Sequence, residues 1–301
     1  MAKIIVTGGA GFIGSNLVDK LIERGEEVHL IDNLSGGKKE QINPKANFHQ
    51  LDITDFESIK PIFAGADYVF HLAALPRVQF SIEHPIETNE TNVTGTLNVL
   101  LAAKEAGVKR VIYSASSSAY GDQKEMPLRE EMKASPKSPY GLQKYIGELY
   151  CQIFSEVYGL PTVCLRYFNV YGPRQSEEGA YALVIAKFLK QKREGRKLTI
   201  TGDGMQTRDF ISVHDVVRAN ILAMEKEEPT GGEVFNIGAG RNFSVKEVAK
   251  MIGGEVEYLP ARLESHDSLA DNTKAREILG WIPQVKLEEG IAELKKILNI
   301  V

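Results

Sequence analysis

Tyr140-Gly141-Leu142-Gln143-Lys144 sets a phenol and an ammonium four positions apart. On a helix, such positions share a face. An ammonium beside a phenol favours the phenolate and lowers a pKa that is ordinarily about 10. Tyr140 is thereby a candidate base near neutral pH, with Lys144 as its activator. Taken alone, the pair also fits an amphipathic surface, because Tyr and Lys four apart arise often by chance. A second group of hydroxyls lies upstream, in Tyr113-Ser114-Ala115-Ser116-Ser117-Ser118-Ala119-Tyr120-Gly121. These can hydrogen-bond a substrate alcohol or carbonyl oxygen, or form an ordinary polar loop. No G-x-S-x-G elbow surrounds them, which disfavours a nucleophilic serine.

A third group is the run Thr7-Gly8-Gly9-Ala10-Gly11-Phe12-Ile13-Gly14. Gly8, Gly11 and Gly14 follow a strand-like segment and open a helix-like one. The first permits a tight turn, the second lets backbone approach a pyrophosphate, and the third lets helix pack on strand. Asp32 stands at the end of the next strand, 18 positions after Gly14. A carboxylate there accepts ribose hydroxyls and repels a 2′-phosphate, favouring NAD over NADP. Lys38 and Lys39 could instead rescue a 2′-phosphate, or lie in a solvated loop. Asp52-Ile53 either flanks adenine or, through Asp52, caps the helix that follows. His71-Leu72-Ala73-Ala74 ends a further strand. Small residues there allow a cofactor close approach, and His71 reads as a packed structural histidine.

The elements that must position these groups alternate. Strands are expected at Lys3–Thr7, Glu27–Ile31, Asn47–Gln50, Asp67–His71, Arg110–Ser114 and Thr162–Tyr167, with helices near 12–24, 55–63, 85–106 and 139–158. Apolar runs such as Ile4-Ile5-Val6 lack alternation, as in strands covered on both faces. This pattern predicts an α/β fold with a doubly wound parallel sheet of Rossmann type, binding ligand at the strands' carboxyl ends. Residues 1–167 read as the dinucleotide-binding domain, with later segments returning to it. Residues 168–301 read mainly as a smaller α/β substrate lobe. That lobe is expected to hold helices near 179–193, 214–226, 244–252, 273–279 and 287–298, and strands near 198–200, 208–212 and 233–237.

Composition narrows the classes. The chain has 301 residues, 43% hydrophobic and 25% charged, with 36 basic and 40 acidic residues for a net charge of −4. These proportions are those of a globular protein and exclude a disordered or collagen-like chain. No basic bias points to nucleic acid or an anionic membrane surface. Cys151 and Cys164 are too few for a disulfide framework and read as buried, reduced thiols. Neither a signal peptide nor an apolar run of membrane-spanning length is evident, so the expected location is cytoplasmic.

In order along the chain, the glycine loop, the serine strand end, Tyr140-x-x-x-Lys144 and Arg166-Tyr167-Phe168-Asn169-Val170-Tyr171-Gly172-Pro173 resemble the extended short-chain dehydrogenase/reductase family, in its nucleotide-sugar epimerase/dehydratase branch. The likeness continues through Gly202-Asp203-Gly204, Arg208-Asp209-Phe210, Ser268-Leu269-Ala270-Asp271 and Leu279-Gly280-Trp281. The resemblance implies a catalytic triad of Ser116, Tyr140 and Lys144, in which Ser117 or Ser118 could share the role of Ser116. It also implies NAD as cofactor, with Phe12, Ile13, Asn33, Ser35, Gly36, Asn92, Ser114 and Tyr167 near it. It places Asn169 and Arg208 on the diphosphate of a nucleotide sugar, a group suited to an Arg fork. Arg208 could alternatively pair with Asp209. No metal ligand is implied.

Dehydratases and decarboxylases of the family usually carry an acid after the strand-end serine or threonine. Here those positions are the neutral Ser117 and Ser118, which points to 4-epimerisation of a UDP-hexose. Ser268 stands where 4-epimerases restricted to plain hexoses resemble one another in carrying tyrosine. A small residue leaves room for a 2-acetamido group, although Ser268 could equally be a cap. Gly179-Ala180-Tyr181-Ala182-Leu183-Val184 also resembles the acetamido-sugar type, which puts Leu183 and Val184 against the sugar. UDP-N-acetylglucosamine/N-acetylgalactosamine, with UDP-glucose/galactose, is the expected substrate. The family often has Arg-x-Gly-Asp before this region, where this chain reads Arg262-Leu263-Glu264-Ser265. Arg262 is still expected at phosphate. Helices 85–106 and 139–158 suit a two-fold four-helix contact, hence a homodimer.

Overall fold

A computed structural model describes residues 1–176, 183–228, 231–260 and 267–300. Seven parallel strands form the main sheet: β1 (Lys3–Thr7), β2 (Glu27–Ile31), β3 (Asn47–His49), β4 (Tyr68–His71), β5 (Arg110–Ser116), β6 (Thr162–Tyr167) and β10 (Gly231–Ile237). Their order is β10-β6-β5-β4-β1-β2-β3. The order reverses direction between β1 and β4, and in such sheets a crevice opens at that switch point. Thr7 pairs with both Ile31 and His71, so the strand ends flanking the crevice are level.

Both faces of the sheet are covered. Ile4 and Val6 enter one apolar core with α1 (Phe12–Glu23). Ile5 enters the other, with α5 (Gly95–Ala106) and α6 (Pro139–Tyr158). This is why β1 shows no polar alternation. The first face also takes α8 (Val213–Glu225) and the fully buried Trp281, whose indole N–H donates to the Asp215 carbonyl at 2.9 Å. Thus α8 and β10 return from the second half of the chain to the main sheet.

The rest of that half forms its own small core. It contains β7 (Asn169–Tyr171), α7 (Val184–Arg193), β8 (Leu198–Thr201), β9 (Thr207–Ser212), β11 (Asn242–Ser244), α9 (Val245–Ile252), β12 (Val256–Leu259) and α10 (Leu287–Ile297). β9 lies between β7 and β11, and β8 pairs with β12. A Ser244/Glu247 capping box starts α9.

Three expected helices are not regular, the one near 273–279 being a π turn at Ala275–Leu279. The segment 55–63 is α2 (Phe56–Ile59) followed by a 3₁₀ turn, Lys60–Phe63, with Pro61 at its start. Proline lacks the N–H needed to continue α-helical bonding. The segment 85–106 is α4 (Pro85–Asn89), a π turn at Glu90–Thr94, and α5. α3 (Val78–Glu83), β7, β11 and β12 were not anticipated. Of the helix expected near 179–193, residues 179–182 lie outside the described residues.

Candidate active site

The glycine loop closes the end of β1. Gly8 has φ +72°, and a Cβ there would stand 2.6 Å from the Ala73 nitrogen. The tight approach of this loop to Leu72-Ala73 therefore requires glycine. Leu72 N–H donates to the Thr7 carbonyl at 3.1 Å, and Ala73 N–H to the Thr7 hydroxyl at 3.3 Å. A Cβ on Gly14 would stand 2.1 Å from the Gly8 carbonyl oxygen, so helix meets loop only through glycine. No side chain caps α1, and no acid lies in its first turn. Its N-terminal N–H groups and dipole are therefore available to an anion. Phe12 and Ile13 begin this helix, half-buried against the core.

Asp32 is buried just beyond β2. Its carboxylate accepts from Ala10 N–H at 3.0 Å and Leu34 N–H at 2.8 Å. Burial raises its pKa, while these two bonds oppose the shift. The remaining lone pairs can take ribose hydroxyls. Asn33 donates to Asp52 at 2.7 Å and accepts from Ser35 N–H at 2.9 Å, while Gly36 has open space where a side chain would stand. Asp52 is not the helix cap: Asp55 is, accepting from Ser58 N–H. Burial works against ionised Asp52, yet bonds from Thr54 and Asn33 hold its pKa below the ordinary value. Ile53 turns its side chain to Gly95 of α5, where a Cβ would lie 2.6 Å away. These placements fit a dinucleotide: a cradle that a Cβ would fill, an uncapped helix and a carboxylate at the next strand end.

His71 bonds to the hydroxyls of Thr7 (2.7 Å) and Thr96 (2.9 Å). Burial first, and then the Lys144 charge, lower its pKa to about 3, so the ring is neutral and structural. Asn92 lies in the π turn. Its amide accepts from Leu75 N–H (2.8 Å) and donates to the Leu75 carbonyl (3.2 Å) and to Gln143 (2.9 Å). It therefore fastens the chain just past Ala74. Tyr167, named as a cofactor neighbour, is buried with its hydroxyl engaged by Asn220 at 2.9 Å and by Ser114.

The start of α6 is strongly specified. Ser138 caps it, Pro139 occupies its first turn, and Gly141 rests on the Ser118 carbonyl, 2.7 Å from where its Cβ would be. This brings Tyr140 to the serine strand end. Its buried phenol lies beside the Ser116 side chain, which favours the ionised form. Lys144, one turn on, is buried and donates to the Ser114 carbonyl at 2.7 Å, with its Nζ 4.9 Å from the Tyr113 ring centre. Ser116 also accepts from Ser118 N–H at 3.2 Å.

The expected lowering of the Tyr140 pKa is not what the protein alone provides. Burial raises it, and only the Ser116 side chain pulls it down. The same desolvation lowers Lys144 to about 8, against the raising influence of Cys151 and Glu148. Glu148, one further turn along α6, escaped the sequence reading. It is buried in a two-pronged pair with Arg166, at 2.8 and 2.6 Å. Its i+4 spacing from Lys144 was the available signal. Cys151 and Cys164 are buried and free.

Across the crevice, Asn169 Nδ2 donates to the Asp209 carbonyl (3.2 Å) and to Ser268 Oγ (3.3 Å), and Asp209 N–H also donates to Ser268 Oγ (3.3 Å). Ser268 is thus a bridge rather than a helix or turn cap. Arg208 is on β9, donating to the Thr207 carbonyl at 2.9 Å. Asp209 is held by three backbone N–H groups. Leu183 is exposed ahead of α7, and Val184 is half-buried against the lobe core. Arg262 lies outside the described residues.

Known proteins share this fold along the length of the chain. The structure of UDP-glucose 4-epimerase with UDP-glucose from Thermotoga maritima is 44% identical, with TM-score 0.93 over 98% of this chain and 99% of that one. UDP-N-acetylglucosamine 4-epimerase from Methanobrevibacter ruminantium M1, in complex with UDP-N-acetylmuramic acid, is 39% identical, with TM-score 0.94 over 98% and 97%. A relative with different chemistry, UDP-N-acetyl-alpha-D-glucosaminuronate decarboxylase of Bacillus cytotoxicus, is 35% identical over 97% of this chain and 96% of its own. Residues 4–238 match the model of the NAD dependent epimerase/dehydratase family. With a crevice built on the same fold, and likeness running the length of the chain, this protein belongs to that family.

Proposed function

We propose that the protein interconverts UDP-N-acetylglucosamine with UDP-N-acetylgalactosamine, and UDP-glucose with UDP-galactose, by reversible epimerisation at C4. The observation that carries this is the strand end itself: Tyr140 beside Ser116, which is followed only by the neutral Ser117 and Ser118. A carboxylate for a second proton transfer is missing from those positions. The similarity to two 4-epimerases, one with UDP-glucose bound, supports the same choice. Ser268 is bonded to Asn169, and its small side chain suits an acetamido sugar.

NAD, when bound, supplies a positively charged nicotinamide that accepts and returns a hydride. The Gly8–Gly14 loop and the α1 N-terminus would hold its pyrophosphate, Asp32 would take a ribose, and Leu72, Ala73 and Ala74 would lie beside it. Tyr140 removes the 4-hydroxyl proton and later returns it, a role worth roughly 10²–10⁴ in rate. Ser116 holds O4. Lys144, anchored on the Ser114 carbonyl one helix turn from Tyr140, would hold the nicotinamide ribose. Arg208, Asn169 and Arg262 grip the diphosphate while the 4-keto sugar turns over, with Leu183, Val184 and Ser268 around it. Residues 1–167 act as the cofactor half, with α8 and β10, and 168–301 mainly as the substrate lobe.

The assembly we infer is a homodimer. α6 exposes Leu142, Leu149, Ile153 and Val157, while α3 and α4 expose Val78, Ile82 and Ile86. Such exposed apolar side chains on neighbouring helices suit a second copy.

The direct test is incubation of purified protein with UDP-N-acetylglucosamine and no added NAD, with products resolved by NMR. The C4 epimer is expected. A pentose or a 4-keto-6-deoxy product would assign the chain to decarboxylases or dehydratases instead.

A further inference from the structure

Asp209 entered the sequence reading within the Arg208-Asp209-Phe210 likeness and as an alternative partner for Arg208, with no role of its own. It is fully buried in β9, and its two oxygens gather separate parts of the chain. One accepts from Ala239 N–H at 2.7 Å; the other accepts from Gly240 and Ala270 N–H, both at 3.0 Å. Ala239 and Gly240 form the turn after β10, at the edge of the main sheet. Ala270 is two residues beyond Ser268 and bridges to Leu128, past the end of β5. The backbone of Asp209 holds Ser268 Oγ and Asn169 Nδ2, and Arg208 precedes it directly. A methyl on Gly238 would lie 2.5 Å from the Ala270 methyl and 3.0 Å from the Asp209 carboxylate, so space for this clamp requires glycine. Burial, opposed by the three N–H bonds and the Arg241 charge, sets the carboxyl pKa at about 6.

We propose that Asp209 is a positioning residue for substrate binding: by drawing three backbone N–H groups onto one carboxylate, it fixes the spacing of Asn169, Arg208 and Ser268 around the nucleotide sugar. This rests on those three residues being substrate contacts. Cofactor residues at β1, β2 and α6 make none of these bonds. A purely structural carboxylate would affect stability without singling out the substrate.

Asp209→Asn preserves shape, but its NH₂ must face at least one N–H donor whichever way the amide turns. In the holoenzyme, KM for UDP-N-acetylglucosamine is expected to rise roughly tenfold or more, as when a buried charged acceptor is lost. Expected alongside are kcat within about twofold of wild type and an unchanged content of bound NAD. An unchanged KM, or a fall in kcat and NAD content with KM intact, would overturn the proposal. Amide exchange in the wild-type protein provides a measurement that needs no substitution. Saturating UDP-N-acetylglucosamine is expected to slow exchange at Ala239, Gly240 and Ala270 together, and no slowing would count against the clamp. Calorimetry of wild-type protein with the same sugar nucleotide separates the two readings. Absence of binding overturns the substrate assignment and this proposal with it; normal binding with an unaltered D209N variant overturns only the role of Asp209.

Discussion

Tyr140 and Lys144 meet the same physical problem with opposite signs. Burial disfavours whichever form is charged, so it raises the phenol and lowers the ammonium to about 8. The i, i+4 spacing made the pair legible in the sequence, but not the direction of the Tyr140 shift, because burial belongs to the folded chain. A resident positive charge has to reverse that direction. His71 was read as structural, and its pKa of about 3 makes that testable. Its folded pKa lies below the unfolded value of about 6.5. The stability it contributes is therefore complete above about pH 6.5 and is lost as pH falls toward 3. Its ring resonances are expected to stay fixed in NMR spectra from pH 8 down to 4.5, while urea midpoints begin to drop in that range. Titration near pH 6.5 would contradict the buried, neutral ring.

The elements were legible where one pattern ran long enough. β1, β2, β6 and α6 match their expected bounds because strand runs, caps and turn glycines agree there. β7 and β11 have three residues each, too few for a period to register. The π turn at Glu90–Thr94 also left no signal in the helix pattern, since what marks it is Asn92 turning inward to Leu75. The glycine loop makes the sharpest prediction at this scale. Gly14→Ala would place a methyl 2.1 Å from the Gly8 carbonyl oxygen and push α1 off the loop. Bound NAD released from purified protein is expected to fall to less than about a tenth of wild type, since close approach is what the loop provides. A full complement of NAD in that variant would show that the loop does not need glycine there.

At the scale of the whole molecule, the parallel sheet followed from the alternating strands and helices. That later segments return to this sheet was also expected, but not which ones. α8 and β10 return to the main sheet through packing that local sequence does not announce, and Asp209 joins the halves through backbone N–H groups that no motif encodes. The neutral strand end was legible, and the proposed epimerisation rests on it. The exposed stripe of α6 gives a prediction about assembly. Leu149 and Ile153 are 41% and 47% exposed in the single chain. Leu149→Glu with Ile153→Glu is expected to give a monomer in light scattering where the inferred assembly is a dimer, because like charges gathered at an apolar contact repel and stay unpaired. An unchanged mass would place the contact elsewhere.

The role of Tyr140 is tested most directly by Tyr140→Phe, assayed for C4 inversion of UDP-N-acetylglucosamine alongside its content of bound NAD. Expected is a protein that folds and keeps its NAD, with turnover reduced by roughly 10² to 10⁴. Undiminished inversion in that variant would contradict the assignment of Tyr140 as the base.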